Sequence, residues 1–135
     1  MKIGIIDGQG GGIGSTIIRR LKESFGEKVE IWALGTNAIA TAAMMKARAN
    51  RGATGENAIV QSVPKVDIIA GTISIVMAHS MMGELTPAMA LAVAASPAAK
   101  LLLPLSQEHI EIIGVNKEPL PHLIDILIKE IHNHV

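Results

Sequence analysis

The chain contains no cysteine, which excludes disulfides, thiolate metal sites and a thiol nucleophile. Aromatic side chains are almost missing: Phe25 and Trp32 stand alone, and there is no tyrosine. Charge of one sign is missing too. Lysine plus arginine and aspartate plus glutamate each number 12, for a formal net charge of zero. No basic face therefore argues for nucleic acid or an anionic membrane surface. The longest apolar run, Ile68 to Ala78, falls short of the ~20 residues a spanning helix needs. The chain starts with a strand pattern, without a charged n-region, apolar run and cleavage site. The expectation is a soluble cytoplasmic protein with no nucleic-acid or membrane partner.

What is present is aliphatic. Hydrophobic residues make up 49% of the 135 residues, and mean hydropathy is +0.39. With two aromatics, the core must be built from Ile, Leu, Val, Ala and Met. The length fits one domain, residues 1–135, with a sizeable core. A domain of this size leaves much of its surface exposed. The apolar excess therefore points to cover by a second subunit, in a homodimer or higher homo-oligomer.

Strand and helix patterns alternate. Lys2–Ile6, Val29–Leu34 and Val66–Ala70 read as buried strands. Helices are expected over 13–25, with Ile13, Ile17, Leu21 and Phe25 on one face, and over 38–49, 56–63, 74–82, 87–95 and 120–134. Lys100–Leu105 and Ile110–Val115 read as two further strands. Their connection, about Ser106–His109, is too short for a parallel crossover, so they should pair antiparallel. The expected fold is α/β, a three-layer Rossmann-like sheet, mostly parallel, with an antiparallel C-terminal edge strand.

Five of the thirteen glycines fall within Asp7-Gly8-Gln9-Gly10-Gly11-Gly12-Ile13-Gly14-Ser15-Thr16. A strand precedes this run and a helix follows it. In that arrangement backbone N–H groups and a helix N-terminus can hold an anion. Candidate ligand contacts are Asp7, Gly8, Gln9, Gly10, Gly11, Gly12, Ile13, Gly14 and Ser15. Thr36, Asn37 and Thr72 join them from the ends of other strands, and Arg51 from a glycine-containing loop. Asp7 either fixes the loop by accepting its N–H groups or binds a ribose hydroxyl or metal. No carboxylate ends the second strand at Gly35-Thr36-Asn37, which would favour a 2′-phosphorylated dinucleotide if the ligand is a dinucleotide. His79, Glu56, Glu84 and Asp7 are the available acid/base groups, without a motif around them. His132 and His134, two apart on a terminal helix, do not share a face for metal.

Gly8, Gly12, Ile13 and Gly14 fit G-x-x-x-G-I-G, which resembles the cofactor loop of short-chain dehydrogenases. That likeness implies NAD(P) or another nucleotide, with Gly8 making the turn, Gly12 admitting a pyrophosphate and Gly14 allowing helix–strand packing. The Tyr-x-x-x-Lys of those enzymes is absent, so their hydride-transfer site does not carry over. The run is also similar to the phosphate loop of partition and nitrogenase-iron-protein ATPases. Gly14 stands where those loops place lysine before Ser15, which disfavours NTP hydrolysis. Asp-Gly-Gln-Gly-Gly-Gly is similar to a loop of actin-like sugar kinases, which are much larger proteins.

Three segments together, Ile6–Gly14, Ala33–Thr41 and Ala49–Ile59, resemble a family of short bacterial proteins catalogued as a domain of unknown function. The likeness runs to about Val115. It implies a Rossmann-like bacterial protein and supplies no activity. The expectation is a module that binds a nucleotide or dinucleotide by its phosphates at Gly8–Ser15. A small enzyme acting on a phosphorylated metabolite and an assembly subunit with a vestigial loop are the alternatives.

Overall fold

The computed structural model describes residues 1–106 and 108–135. Five strands form one sheet: β1 (Lys2–Asp7), β2 (Glu30–Gly35), β3 (Arg51–Thr54), β4 (Ile68–Thr72) and β5 (Ala99–Leu103). Their spatial order is β3-β2-β1-β4-β5. Helices α1 (Gly12–Phe25), α2 (Ala38–Lys46), α3 (Glu56–Ser62), α4 (Pro87–Ala95) and α5 (Leu120–His134) connect or follow them.

The period-2 alternation of the strands divides the core. Ile3 and Ile5 of β1, Ile31 and Ala33 of β2 and Ile68 and Ala70 of β4 face one side. There they meet Ile17, Ile18 and Leu21 of α1, Met44 of α2 and Ile124 and Ile131 of α5. Ile6, Leu34 and Ile69 face the other side, against Ile59 of α3 and Met89 and Val93 of α4. Each large aliphatic side chain buried this way contributes about 1.5–3 kcal/mol. The central strands are covered on both faces, as parallel strands require. Arg20 of α1 is also ion-paired with Asp125 of α5. No helix among the described residues is long and apolar enough to cross a membrane.

The sheet corrects the expected antiparallel C-terminal edge. Every paired strand is parallel. β5 runs alongside β4, from Ile68 opposite Ala99 to Thr72 opposite Leu103, because α4 carries the chain back across the sheet between them. Ile110–Val115 forms no strand. Gly114 takes φ +88°, and the Val115 N–H turns back to the Ile112 carbonyl at 3.4 Å, so an extended ladder is broken there. Part of the expected connection, residue 107, lies outside the described residues. The fifth strand is instead β3, at the opposite edge, in a stretch that reads as loop. The expected helix over 74–82 shrinks to a single 3-10 turn, Ile73–Val76, followed by irregular turns up to α4.

Candidate functional site at the carboxyl ends of the strands

β1 has β2 on one side and β4 on the other, so the direction of winding reverses beside it. Crevices form at such a point, outside the carboxyl ends of the strands. Here the chain from β1 enters residues 8–11 and then α1. Gly11 caps that helix at φ +72°, a left-handed conformation that glycine adopts without strain. A Cβ there would also lie 2.8 Å from the Ala40 carbonyl of α2. The Gly11 N–H closes the turn onto the Gly8 carbonyl at 2.9 Å.

The loop is held by two carboxylates. Asp7 accepts the N–H of Gly8 at 2.8 Å on one oxygen and that of Gly14 at 2.7 Å on the other. Glu84, arriving from the segment between β4 and α4, places Oε1 at 2.7 Å from three donors: the Gln9 N–H, the Thr36 hydroxyl and the Asn37 amide. Asn37 also donates to the Gln9 carbonyl at 3.0 Å and caps α2 by accepting the Ala40 N–H at 2.9 Å. The N–H groups of Gly8, Gln9, Gly11 and Gly14 are thus satisfied internally. Among the described residues, no acceptor meets the N–H groups of Gly10, Gly12 and Ile13. Gly10 and Gly12 are exposed, and a Cβ on either would have nothing within 4 Å.

The two carboxylates are tuned in opposite directions. Burial pushes the Asp7 carboxyl above the ordinary aspartate range. The N–H bonds from Gly14 and Gly8 oppose this, and the nearby Glu84 charge adds to it. Burial also acts to raise Glu84, but the donors Gln9, Thr36 and Asn37 together outweigh it and hold its carboxyl below the ordinary glutamate range.

A cavity of about 150 Å³ opens on the β4–β5 side of the loop, lined by Asp7, Gly8, Gln9, Ile13, Thr72, Ser74, Met81, Leu105, Ser106 and Glu108. Glu108 accepts the Met81 N–H at 3.2 Å and the Ser74 hydroxyl at 3.4 Å. A larger hollow of about 520 Å³, between the exit of β5 and α5, shares Leu105 and Ser106 with it. Among the described residues, no group of three or more His, Cys, Asp or Glu is arranged for a metal ion.

Of the residues singled out by sequence, Asp7, Gly8, Gln9, Ile13 and Thr72 line this cavity. Gly10, Gly11, Gly12 and Gly14 belong to the adjoining loop and first turn of α1. The Ser15 hydroxyl is committed to the Gly11 carbonyl at 2.6 Å. Thr36 and Asn37 meet the loop both directly, through the Asp7 and Gln9 carbonyls, and through Glu84; neither lines the cavity. Arg51 is not brought to the site. It begins β3, at the amino-terminal end of that strand. There it pairs with Glu30 at 2.8 Å, and its guanidinium lies 5.8 Å from the centre of the Trp32 ring. Glu56 accepts the Thr86 hydroxyl at 2.6 Å. The His79 N–H is bound to the Leu85 carbonyl at 2.7 Å. Neither residue lines the cavity.

Sequence reasoning missed Glu108 and Ser106, placed Ser74 only as the end of a loop, Gly71–Ser74, at this edge of the sheet, and read Glu84 only as an acid/base group. Glu108 lies in what the sequence pattern makes a tight connection between two antiparallel strands, the second of which, Ile110–Val115, does not form. β5, parallel to β4, ends at the same sheet edge as Asp7, and the chain beyond it brings Glu108 to the cavity. Glu84 lies 75 residues from Gln9, and no local pattern announces that contact. Its carboxylate also stands beside Thr36 and Asn37, at the end of β2, where a 2′-phosphate would be repelled. The expected preference for a 2′-phosphorylated dinucleotide therefore loses its basis.

No curated protein and no solved structure matches the chain. Over residues 2–135 it matches the family described as domain of unknown function DUF3842, and it belongs to that family.

Proposed function

We propose that this is a Rossmann-like module that binds a small molecule of the nucleotide class by its phosphate at the β1–α1 loop. One observation carries the reading: the N–H groups of Gly10, Gly12 and Ile13 are open at the N-terminus of α1, beside a cavity at the point where the winding of the sheet reverses. Open amides and the positive end of a helix attract anions. The test is a thermal-shift panel of AMP, ATP, NAD(P), FMN, a nucleotide sugar and ribose 5-phosphate. A ligand at 100 times its Kd stabilises by about 2.7 kcal/mol, which moves Tm on the order of 10 °C for a domain of this size. A panel without any shift sinks the proposal.

A second reading, a small enzyme acting on a phosphorylated metabolite, draws on the opposed tuning of Asp7 and Glu84. Neighbouring groups whose pKa values are driven apart suit acid and base roles, and Asp7 faces the cavity. If NMR finds every panel compound chemically unchanged after a day with the protein, this reading fails. We also read the protein as a homodimer, on the strength of exposed Ile39, Met82, Leu91 and Ile113. Light scattering that gives the 14.2 kDa of one chain excludes the dimer.

A further inference from the structure

The two sides of the glycine loop are not equally open. On the β2 side, a Cβ added to Gly8 would lie 2.5 Å from the Thr36 hydroxyl, 2.6 Å from the Met81 sulfur and 3.0 Å from Glu84 Oε1. The segment between β4 and α4 fills the crevice where the second half of a dinucleotide crosses from β1 to β2. It does so through an unusual backbone: His79, Met81 and Met82 all have positive φ, at 70°, 57° and 56°. The β4–β5 side stays open. Its cavity of about 150 Å³ is smaller than the ~300–1,000 Å³ that encloses a drug-sized ligand.

The lining of that cavity supplies acceptors. Asp7 and Glu108 each take two hydrogen bonds from the protein, and a carboxylate has about four acceptor positions. The remaining positions suit donors such as sugar hydroxyls. Thr72, Ser74 and Ser106 add hydroxyls to the same lining. A bare phosphate would be repelled inside this cavity. Ile13 carries one of the open amides and also lines the cavity, so a phosphate on those amides would stand at its mouth with its sugar free to turn inward.

Resting on the phosphate-binding reading above, we propose that the site takes a single ribose phosphate unit, free or within a mononucleotide, and excludes dinucleotides. The sugar hydroxyls are held by Glu108 and Asp7, and the β2 side is closed by Met81 and Glu84.

Titration calorimetry on the full chain tests this with ribose 5-phosphate, AMP, NAD and NADP. Saturable binding of ribose 5-phosphate or AMP, at least tenfold tighter than either dinucleotide, is the expected result. Binding of ribose 5-phosphate alone identifies the free sugar phosphate, and binding of AMP alone identifies the mononucleotide. A dinucleotide that binds as tightly as the better of the two overturns the inference and leaves the phosphate site standing. The inference falls in the same way if neither binds while another phosphate compound does. Silence from all of them, and from the whole phosphate panel, defeats both readings. The variant Glu108→Ala should weaken the better ligand about tenfold and leave inorganic phosphate binding unchanged. An equal loss for both probes would mark Glu108 as a scaffold residue and overturn its role toward the sugar.

Discussion

Substituting alanine at three glycines of one loop should give three different outcomes. At Gly12 a Cβ meets nothing within 4 Å, and the residue opens α1. Alanine there should stabilise the fold by about 0.4–1 kcal/mol, by restricting the unfolded chain and favouring helix. At Gly14 a Cβ would sit 2.6 Å from the Met44 sulfur and 2.9 Å from Asp7 Cβ. Met44 is fully buried, so relief requires its neighbours to shift as well, at a cost of about 1–3 kcal/mol. At Gly11 two penalties combine. The φ of +72° costs an L-residue about 1–2 kcal/mol, and the 2.8–2.9 Å approach to the Ala40 backbone adds about 1–3 kcal/mol of forced displacement. The variants should therefore rank Gly12→Ala, wild type, Gly14→Ala, Gly11→Ala, from most to least stable. They should span about 2.4–6 kcal/mol. Urea unfolding read by the fluorescence of Trp32, the single tryptophan, measures the series. Gly12→Ala should also lose AMP and ribose 5-phosphate binding, because its methyl occupies the approach to the open amides. A Gly12→Ala protein less stable than wild type by more than ~0.5 kcal/mol, or a Gly11→Ala protein indistinguishable from wild type, would refute this account of the loop's packing.

Two further outcomes can be measured. The carboxyl carbons of Asp7 and Glu84, followed by NMR, should titrate above and below their respective unfolded-chain values. For Asp7 the native state keeps a proton that the unfolded chain has released. Its contribution is therefore full below the ordinary aspartate range and lost as pH rises through the raised value. For Glu84 the sign reverses: the contribution is full above the ordinary glutamate range and lost as pH falls through the lowered value. An Asp7 midpoint at or below that of free aspartate contradicts the assignment. Arg51→Ala should cost less than about 1 kcal/mol, since its ion pair with Glu30 is exposed, and should leave phosphate-ligand affinity unchanged. A tenfold loss of affinity would return Arg51 to the site.

Long-period helix patterns were the most legible part of the sequence. α4 and α5 occupy the expected ranges, 87–95 and 120–134, and α1 begins one residue earlier than expected. The Ile-rich strands were equally plain, because burial on both faces leaves a continuous apolar run. β3 was not legible: Arg-Gly-Ala-Thr has one β-branched residue and pairs only because β2 offers it an edge. The Ile-rich run at 110–115 carried the opposite error, since composition suggests a strand where no neighbour accepts one. At the candidate site, the glycine loop and Asp7 could be read directly from the chain. Glu84 and Glu108 could not, because their contacts depend on how β4 and β5 deliver distant loops to one edge of the sheet.

The internal bonding of the loop bears on the energetics of any encounter. Five glycines would ordinarily form a floppy segment, and fixing each residue costs about 1–2 kcal/mol of backbone entropy. Here Asp7 and Glu84 fasten Gly8, Gln9 and Gly14 within the protein itself, so that ordering is complete before a ligand arrives. On the proposed phosphate-binding reading, Gly10, Gly12 and Ile13 would then form a preformed socket. Interaction energy gained there goes into affinity rather than into freezing the chain, and association needs no slow folding of the loop.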